Sequence, residues 1–360
     1  MNKIDNHIKQ ATELLRMIVS IPSFSFEEEK RSLFIYDYLK KNGAEAKRIY
    51  NNILSFSPLM DESKPTLMLN SHIDTVKPSE AYTFNPFDPP IFEDKIYGLG
   101  SNDAGASVVS MIQTYLYFIH DIELLKSLPV NLALVLTAEE ECSGKKGIEA
   151  IESDLRKLMD FAIIGEPTQM NAAIAERGLL VIDATSRGIS GHAAINEGKN
   201  AIYIAIEDIE VLRNFKFEKT SKLMGNIKMT VTQIEAGCQH NVIPDTCKYV
   251  VDIRPTDSYN NKEIMEILSK ELKSELKPRS LTNKSSITPM GHPLIKTINS
   301  LELKSYISPT TSDWMRITFP AIKMGPGESI RSHKADEYIY TKEIAHSIET
   351  YIKFVKNIKL

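Results

Sequence analysis
Apolar positions recur along this chain with two different periods. Residues 1–20 place Ile4, Ile8, Leu15, Ile18 and Val19 on or near one side of a helix, and Pro22 lies just beyond its end. Glu27 to Lys41 carries Leu33, Phe34, Tyr38 and Leu39 at helical spacing, and Asn42-Gly43 is the stop signal. Ala104 to His120 reads as a third helix, opening on small residues beside Asp103. Between and beyond these lie short unbroken apolar runs: Thr66 to Asn70, Asn131 to Leu136, Phe161 to Ile164 and Pro320 to Met324. Runs of this kind are strands buried on both faces, and their alternation with helices up to about residue 175 predicts a mixed, largely parallel α/β sheet flanked by helices.

The pattern changes after Glu176. Leu180, Ile182 and Ala184 alternate with Val181, Asp183 and Thr185. Asn200 to Arg213 is helical in pattern, Ile227 to Ile234 and Cys247 to Ile253 are strand-like, Asn261 to Leu276 is helical, and a last strand is expected near Leu281 to Ile287. That β-α-β-β-α-β order is ferredoxin-like. From about residue 288 the first pattern returns, with a helix at His292 to Leu303, a strand at Phe319 to Met324 and a closing helix at Thr341 to Ile358. The expectation is an α/β domain made of residues 1–176 and 288–360, interrupted by an α+β domain at 177–287.

Composition narrows the setting. A chain of 360 residues suits two domains. With 42% hydrophobic and 25% charged residues it reads as an ordinary globular enzyme, and a net charge of −4 gives no reason to expect nucleic acid or a membrane surface as partner. Cys142, Cys238 and Cys247 are odd in number and form no C-x-x-C pair, which argues against a disulfide framework. The start of the chain has no apolar signal core, and no run approaches the roughly 18 apolar residues of a membrane span. A cytoplasmic location is the expectation.

Candidate chemistry gathers where the apolar runs end, which is where parallel α/β sheets place their sites. His72 and Asp74 stand at i and i+2 past the first run, so Asp74 can orient the ring of His72; a solvated turn with a capping Asp is the plainer reading. Asp103 follows the glycine-spaced turn Gly98-Leu99-Gly100, either as a helix cap or as a carboxylate bridging two cations. Glu139-Glu140-Glu141 crowds three carboxylates, which suits a surface loop or a metal ligand beside a general base. Pro167 holds Glu166 extended. His333 lies in a polar loop, His192 stands among small residues, and Arg254 either pairs with Asp252 or grips a substrate carboxylate in bidentate fashion.

Taken together, His72-Ile73-Asp74-Thr75-Val76, Gly98 to Asp103, Thr137 to Glu141, Gly165-Glu166-Pro167-Thr168, Gly188 to His192, Asn241 to Asp245, Asp252-Ile253-Arg254 and the Gly325-Pro326-Gly327…His333…Asp336-Glu337 ending resemble the co-catalytic zinc aminoacylase and exopeptidase family. That family contains acetylornithine deacetylase, succinyl-diaminopimelate desuccinylase, aminoacylases and carboxypeptidase G. The resemblance spans nearly the whole chain. It implies two Zn²⁺ ions, with Co²⁺ able to substitute: His72 and Glu166 on one, Glu141 and His333 on the other, Asp103 bridging. It implies Glu140 as general base, Asp74 as orienter of His72, a cis Asp103-Ala104 peptide, and a homodimer formed through the inserted domain, whose His192 reaches the partner's site. Arg254 and Asn241 are expected to hold the substrate carboxylate.

The resemblance departs in two places. Family members often have lysine at the position of Gly105, so a nearby positive charge is missing, and the three glutamates allow Glu139 and Glu140, rather than Glu140 and Glu141, to be the base and ligand pair. The implied activity is hydrolysis of a linear amide: removal of an acetyl or succinyl group from a small amino acid, foremost an N-acylornithine in arginine biosynthesis. A desuccinylase of N-succinyl-diaminopimelate and a dipeptidase are the alternatives, and a metal-binding homologue without activity is the reading from another class.

Overall fold
The computed structural model describes residues 3–88, 90–92, 94–195 and 197–360. Met1 and Asn2 of the first expected helix lie outside them. In chain order the elements used below are α1 (Lys3–Val19), α2 (Glu29–Lys41), β1 (Ala46–Ile49), β2 (Asn52–Phe56), β3 (Thr66–His72), α3 (Ala106–Ile119), β4 (Asn131–Thr137), β5 (Phe161–Ile164), β6 (Ala172–Glu176), β7 (Leu180–Arg187), α4 (Ala201–Asn214), β8 (Lys228–Ala236), β9 (Thr246–Arg254), α5 (Asn261–Glu271), β10 (Glu275–Pro278), β11 (Ala321–Lys323) and α6 (Thr341–Lys356). The chain divides into two compact units. One holds residues 1–174, 288–306 and 312–360; the other holds 175–287 and 307–311. The short excursion at 307–311 is a detail the sequence pattern does not carry.

In the first unit the sheet runs β1-β2-β4-β3-β5-β11-β6. Its four middle strands, β4, β3, β5 and β11, are mutually parallel, and every residue of β3, β4, β5 and β11 is buried. Parallel strands end on the same edge, so the segments leaving β3, β4, β5 and β11 gather there. The helix α3 lies under this sheet and is buried all round, because α1 and α6 cover its other side. Its polar groups are matched inside the core: Gln113 bonds His7 of α1 and Ser110 receives a hydrogen bond from Ser347 of α6. α3 begins at Ala106 rather than Ala104, since residues 101–105 form a wider turn around Asp103.

In the second unit four antiparallel strands pair in the order β8-β9-β7-β10, the ferredoxin-like arrangement. Burial alternates along β7, so one face meets α4 and α5. The last strand is β10, not Leu281 to Ile287, and α5 stops at Glu271, not Leu276. The cause is Asp208 of α4. Its buried carboxylate accepts the N–H groups of Lys273 and Ser274 and the Ser274 hydroxyl, which ends the helix and turns the chain into the sheet early. Ser286 and Ile287 still form a short strand, paired with Glu176 and Ala175.

Candidate metal centre
Four segments at the strand exits bring their polar groups together. β3 ends on His72, which is buried, and its Nε2 lies 3.2 Å from Asp103 Oδ1 and 3.9 Å from Glu166 Oε1. Glu166 arrives two residues past β5. His333 Nε2 lies 2.9 Å from Glu141 Oε2 and 3.9 Å from the other Asp103 oxygen, Oδ2. His72, Asp103 and Glu166 therefore offer one set of three donor atoms, and Asp103, Glu141 and His333 a second, each set within 4.8 Å. Asp103 gives one oxygen to each set. Imidazole and carboxylate donors in threes, with room left for a further ligand, suit zinc or a similar divalent ion.

The turn that presents Asp103 is over-determined. Gly100 has φ +75°, and Gly105 N–H donates to Gly100 O at 2.9 Å. A Cβ on Gly105 would stand 2.4 Å from that oxygen and 3.0 Å from Leu15 Cδ1, so the position admits no side chain in this packing. The Asp103-Ala104 peptide is cis. The carboxylate of Glu337 accepts three main-chain N–H groups of the turn, from Gly100 at 3.0 Å and from Asn102 and Asp103 at 2.8 Å each. Asn102 in turn bonds Glu328 N–H and O and Ser332 Oγ, tying the turn to the loop that carries His333.

The three adjacent glutamates take different directions. Glu139 has φ +57°; its carboxylate accepts Lys146 N–H and its own N–H donates to Glu28, so it faces away from both donor sets. Glu140 and Glu141 donate their N–H groups to the two oxygens of Asp74, at 3.0 and 3.1 Å. This geometry pairs Glu140 with Glu141. It also adds to the expected work of Asp74, whose carboxylate still faces the His72 ring. His72 Nδ1 is 3.1 Å from the Asp74 carbonyl oxygen but 3.5 Å from its carboxylate, so the main chain is the better acceptor for the ring. The carboxylate acts chiefly on the Glu140–Glu141 turn and on Ser25, whose hydroxyl donates at 2.7 Å.

The charge balance follows from burial. Desolvation pushes Glu140 well above the usual carboxylate range, with Glu166, Asp313 and Glu141 adding repulsion against the attraction of His72. Burial raises Glu166 to about 8, opposed by His72 and by Lys323. Burial alone would make His72 less basic, yet Asp103, Asp74, Glu140 and Glu166 outweigh it and hold its ring well above the ordinary range. Carboxylates crowded this way hold protons or draw cations close, and divalent ions in the two donor sets would relieve the crowding.

Asp313 was not singled out from sequence. It is buried, accepts a 2.5 Å hydrogen bond from Thr137 Oγ1 at the end of β4, and is pushed by burial to about 6. A lone acid after Ser312 and before Trp314 carries no motif that would have found it. Two other cations, Arg31 of α2 and Lys323 of β11, are buried in this unit, and Lys323 acts on Glu166.

The remaining expected residues lie in the second unit. His192 is exposed on a two-residue strand paired with Val242–Ile243, and Ala193 N–H donates to the carbonyl of Asn241, which sets these two residues side by side. His192 Nδ1 accepts Ala194 N–H, so a neutral ring carries its proton on Nε2. Arg254 closes β9 and is held by Asp252 in a two-bond pair, 2.7 Å from Nε and 3.0 Å from Nη2.

Comparison with known proteins agrees with this picture. Residues 174–280 match the family described as peptidase dimerisation domain. A succinyl-diaminopimelate desuccinylase of Pelagibacter ubique is 25% identical over 356 residues, covering 90% of this chain and 88% of that protein. An acetylornithine deacetylase of Pectobacterium carotovorum is 29% identical over 305 residues, covering 79% and 78%. Among solved structures, a tripeptidase of Staphylococcus aureus shares the fold with a TM-score of 0.77 at 19% identity, over 98% of each chain. An M20 family metallo-carboxypeptidase of Sulfolobus solfataricus does so at 0.74 and 16%, over 97% and 99%. The matched dimerisation domain, relatives aligned along most of the length and a fold shared from end to end make the chain similar to M20 metallopeptidases and acyl-amino-acid hydrolases, which supports a metal-dependent amidohydrolase. Among the described residues no helix is long and apolar enough to cross a membrane.

Proposed function
We propose that the protein removes an acetyl or succinyl group from the nitrogen of a small amino acid, with N-acylornithine as the preferred substrate class and Zn²⁺ as the native metal. The observation that carries the hydrolytic reading is Asp103, whose two oxygens face His72 and His333 respectively. His72 and Glu166 would hold one ion, Glu141 and His333 the other, and Asp103 both. Bound there, the ions supply Lewis-acid polarisation of an amide carbonyl and acidify water. Glu140 is a half-buried carboxylate that stands next to Glu141, is acted on by His72, Glu166 and Glu141, and belongs to neither set, so it takes the proton from the attacking water and returns it to the leaving amine. Its high proton affinity suits the second half of that shuttle. The Nε2–H of His192, contributed by a second copy of the chain, donates to the oxyanion. Arg254 and Asn241 face the substrate carboxylate, Arg254 exchanging Asp252 for the ligand.

Desuccinylation of N-succinyl-diaminopimelate is the second reading, favoured by the relative that covers 90% of the chain. The purified protein with Zn²⁺ or Co²⁺ should be assayed against N-acetylornithine, N-succinylornithine, N-succinyl-diaminopimelate and simple dipeptides. Turnover of an N-acylornithine well above the others supports the proposal, and turnover of the diaminopimelate derivative or of dipeptides alone replaces it. A protein that binds two ions and cleaves none of these is not the enzyme proposed. Glu140→Gln should keep its metal and lose about 10²–10⁴-fold in kcat; a variant that stays active removes Glu140 from the mechanism.

A further inference from the structure
Of the five donor side chains, four are enclosed by the fold and one is not. His72, Asp103, Glu141 and Glu166 are at most 12% exposed, whereas His333 is 54% exposed. His333 hangs from a loop between the turn Ser329–Arg331 and the strand Tyr338–Tyr340. Its backbone is left-handed, with φ +59°, and so is that of Asp336, with φ +55°. A non-glycine residue stays in that region only where its surroundings over-determine it.

Arg331 opens this loop, and its side chain, 11% exposed, turns back across it. The guanidinium carbon lies 4.7 Å from the ring centre of Tyr338 and 5.3 Å from that of Tyr340. These two rings stand at i and i+2 on the strand that closes the loop, 5.5 Å apart. Arg331 Nη1 donates at 2.7 Å to Glu343 in the first turn of α6, and Nη2 lies 3.4 Å from Glu328. The Glu343 oxygen that accepts Nη1 also accepts the Tyr340 N–H at 2.9 Å. One side chain thus joins the start of the loop to its end. The other ties lead each end to a third segment: Asn102 holds Glu328 and Ser332, and Asp336 accepts the N–H and hydroxyl of Thr83. A loop whose ends are already joined loses less freedom when a ligand orders it. Lys95, on the neighbouring strand, approaches the same rings, 4.5 Å from Tyr338 and 5.2 Å from Tyr340.

We propose that Arg331 is a positioning residue of the second donor set: stacked on Tyr338 and Tyr340 and bonded to Glu343, it closes the loop and holds His333 where Asp103 and Glu141 can share an ion with it. The inference rests on the di-metal reading above and deepens it. Arg331 is not itself among the donors, and it serves one set only, so the set of His72 and Glu166 fills normally without it. The alternative is a stacked ion pair that merely steadies the start of α6. Such a pair alters the thermal melt and leaves the affinity for both ions as it was.

Metal-free protein is titrated with Zn²⁺ against a chromophoric chelator that resolves two equivalents, and backbone hydrogen exchange of the 332–337 loop is followed on the same metal-free samples. Arg331→Gln should bind the first equivalent as wild type does, bind the second about 10-fold more weakly, and exchange its loop amides faster. Tyr338→Leu keeps the bond to Glu343 and loses the nearer ring, so it should move in the same direction, and Tyr338→Phe should match wild type. Lys95→Gln removes the other cation from the same rings and should leave both equivalents unchanged. In a His333→Ala background Arg331→Gln should make no further difference to metal binding. Wild-type affinity for the second equivalent in Arg331→Gln overturns the proposal. So do an equal loss of both equivalents, loop amides that exchange no faster, and a Lys95→Gln protein as weak as Arg331→Gln. If Arg331→Gln does not fold, Tyr338→Leu set against Tyr338→Phe decides: a selective loss of the second equivalent in the first alone supports the proposal, and equal affinities overturn it. Wild-type protein that takes up fewer than two equivalents overturns the di-metal reading and this proposal with it, whereas two equivalents held alike by wild type and Arg331→Gln overturn this proposal alone.

Discussion
At the scale of single residues, the centre depends on which side chains turn inward, and sequence reveals only part of that. His72, Glu166 and Asp103 were legible because each follows a buried run or a glycine turn, and strand polarity then decides where they meet. The choice among Glu139, Glu140 and Glu141 was not legible. It is made by the left-handed backbone at Glu139 and by Asp74, sixty-six residues before Glu140, taking the next two N–H groups. Asp313 owes its place to a long-range hydrogen bond with no local signature, and the work of Glu337, though its Asp336-Glu337 ending was marked, shows only in the N–H groups it gathers from the Asp103 turn. Asp103 gives the sharpest residue-scale test. Each donor set loses its third member in Asp103→Ala, so the variant should retain neither ion after dialysis, measured by elemental analysis. Retention of one full equivalent would mean that one set binds without it.

At the scale of elements, the misplaced final strand of the second unit shows what periodicity misses. Leu272 and Leu276 continue a helical spacing, and only the buried carboxylate of Asp208, on a different helix, ends α5 where it ends. Replacing Asp208 by Ala should strand those donors and cost about 3 kcal/mol of stability in urea unfolding; a change below about 0.5 kcal/mol would show that solvent replaces the cap. The contact between α1 and α3 predicts a pH effect. Burial holds His7 below its ordinary 6.5, against the opposing hydrogen bond with Gln113. The unfolded chain therefore takes up the proton first. The stability tied to neutral His7 is complete above about pH 6.5 and is lost as pH falls below it. Thermal melts between about pH 7.5 and 5.5 should show a shallower acid decline in His7→Gln than in wild type, and equal slopes would exclude His7 as a source.

At the scale of the whole molecule, the pairing of a strand-helix alternation with a ferredoxin-like insertion could be read from the change in pattern at residue 176 and its return at 288. How many copies assemble could not, because the exposed residues of β8 and α4 form no pattern that tells an interface from a solvated face. The proposal that His192 serves a partner's centre is tested by mixing inactive chains. His192→Ala and Glu140→Ala subunits, refolded together, should regain part of the activity, since one composite site keeps both groups. Heterodimers that form yet stay inactive would place His192 elsewhere.

The position of β11 has a consequence for how the protein is made. This strand is hydrogen-bonded between β5 and β6, yet more than 140 residues separate it from either in the chain. During synthesis the larger sheet must wait with an empty slot while the whole intervening unit leaves the ribosome. His333 follows later still, so a nascent chain owns one complete donor set before it owns the other. A polypeptide released before residue 323 should be a ready substrate for proteases. Supplying residues 288–360 as a separate fragment should restore resistance, for the missing piece is a central stave and not a trailing end.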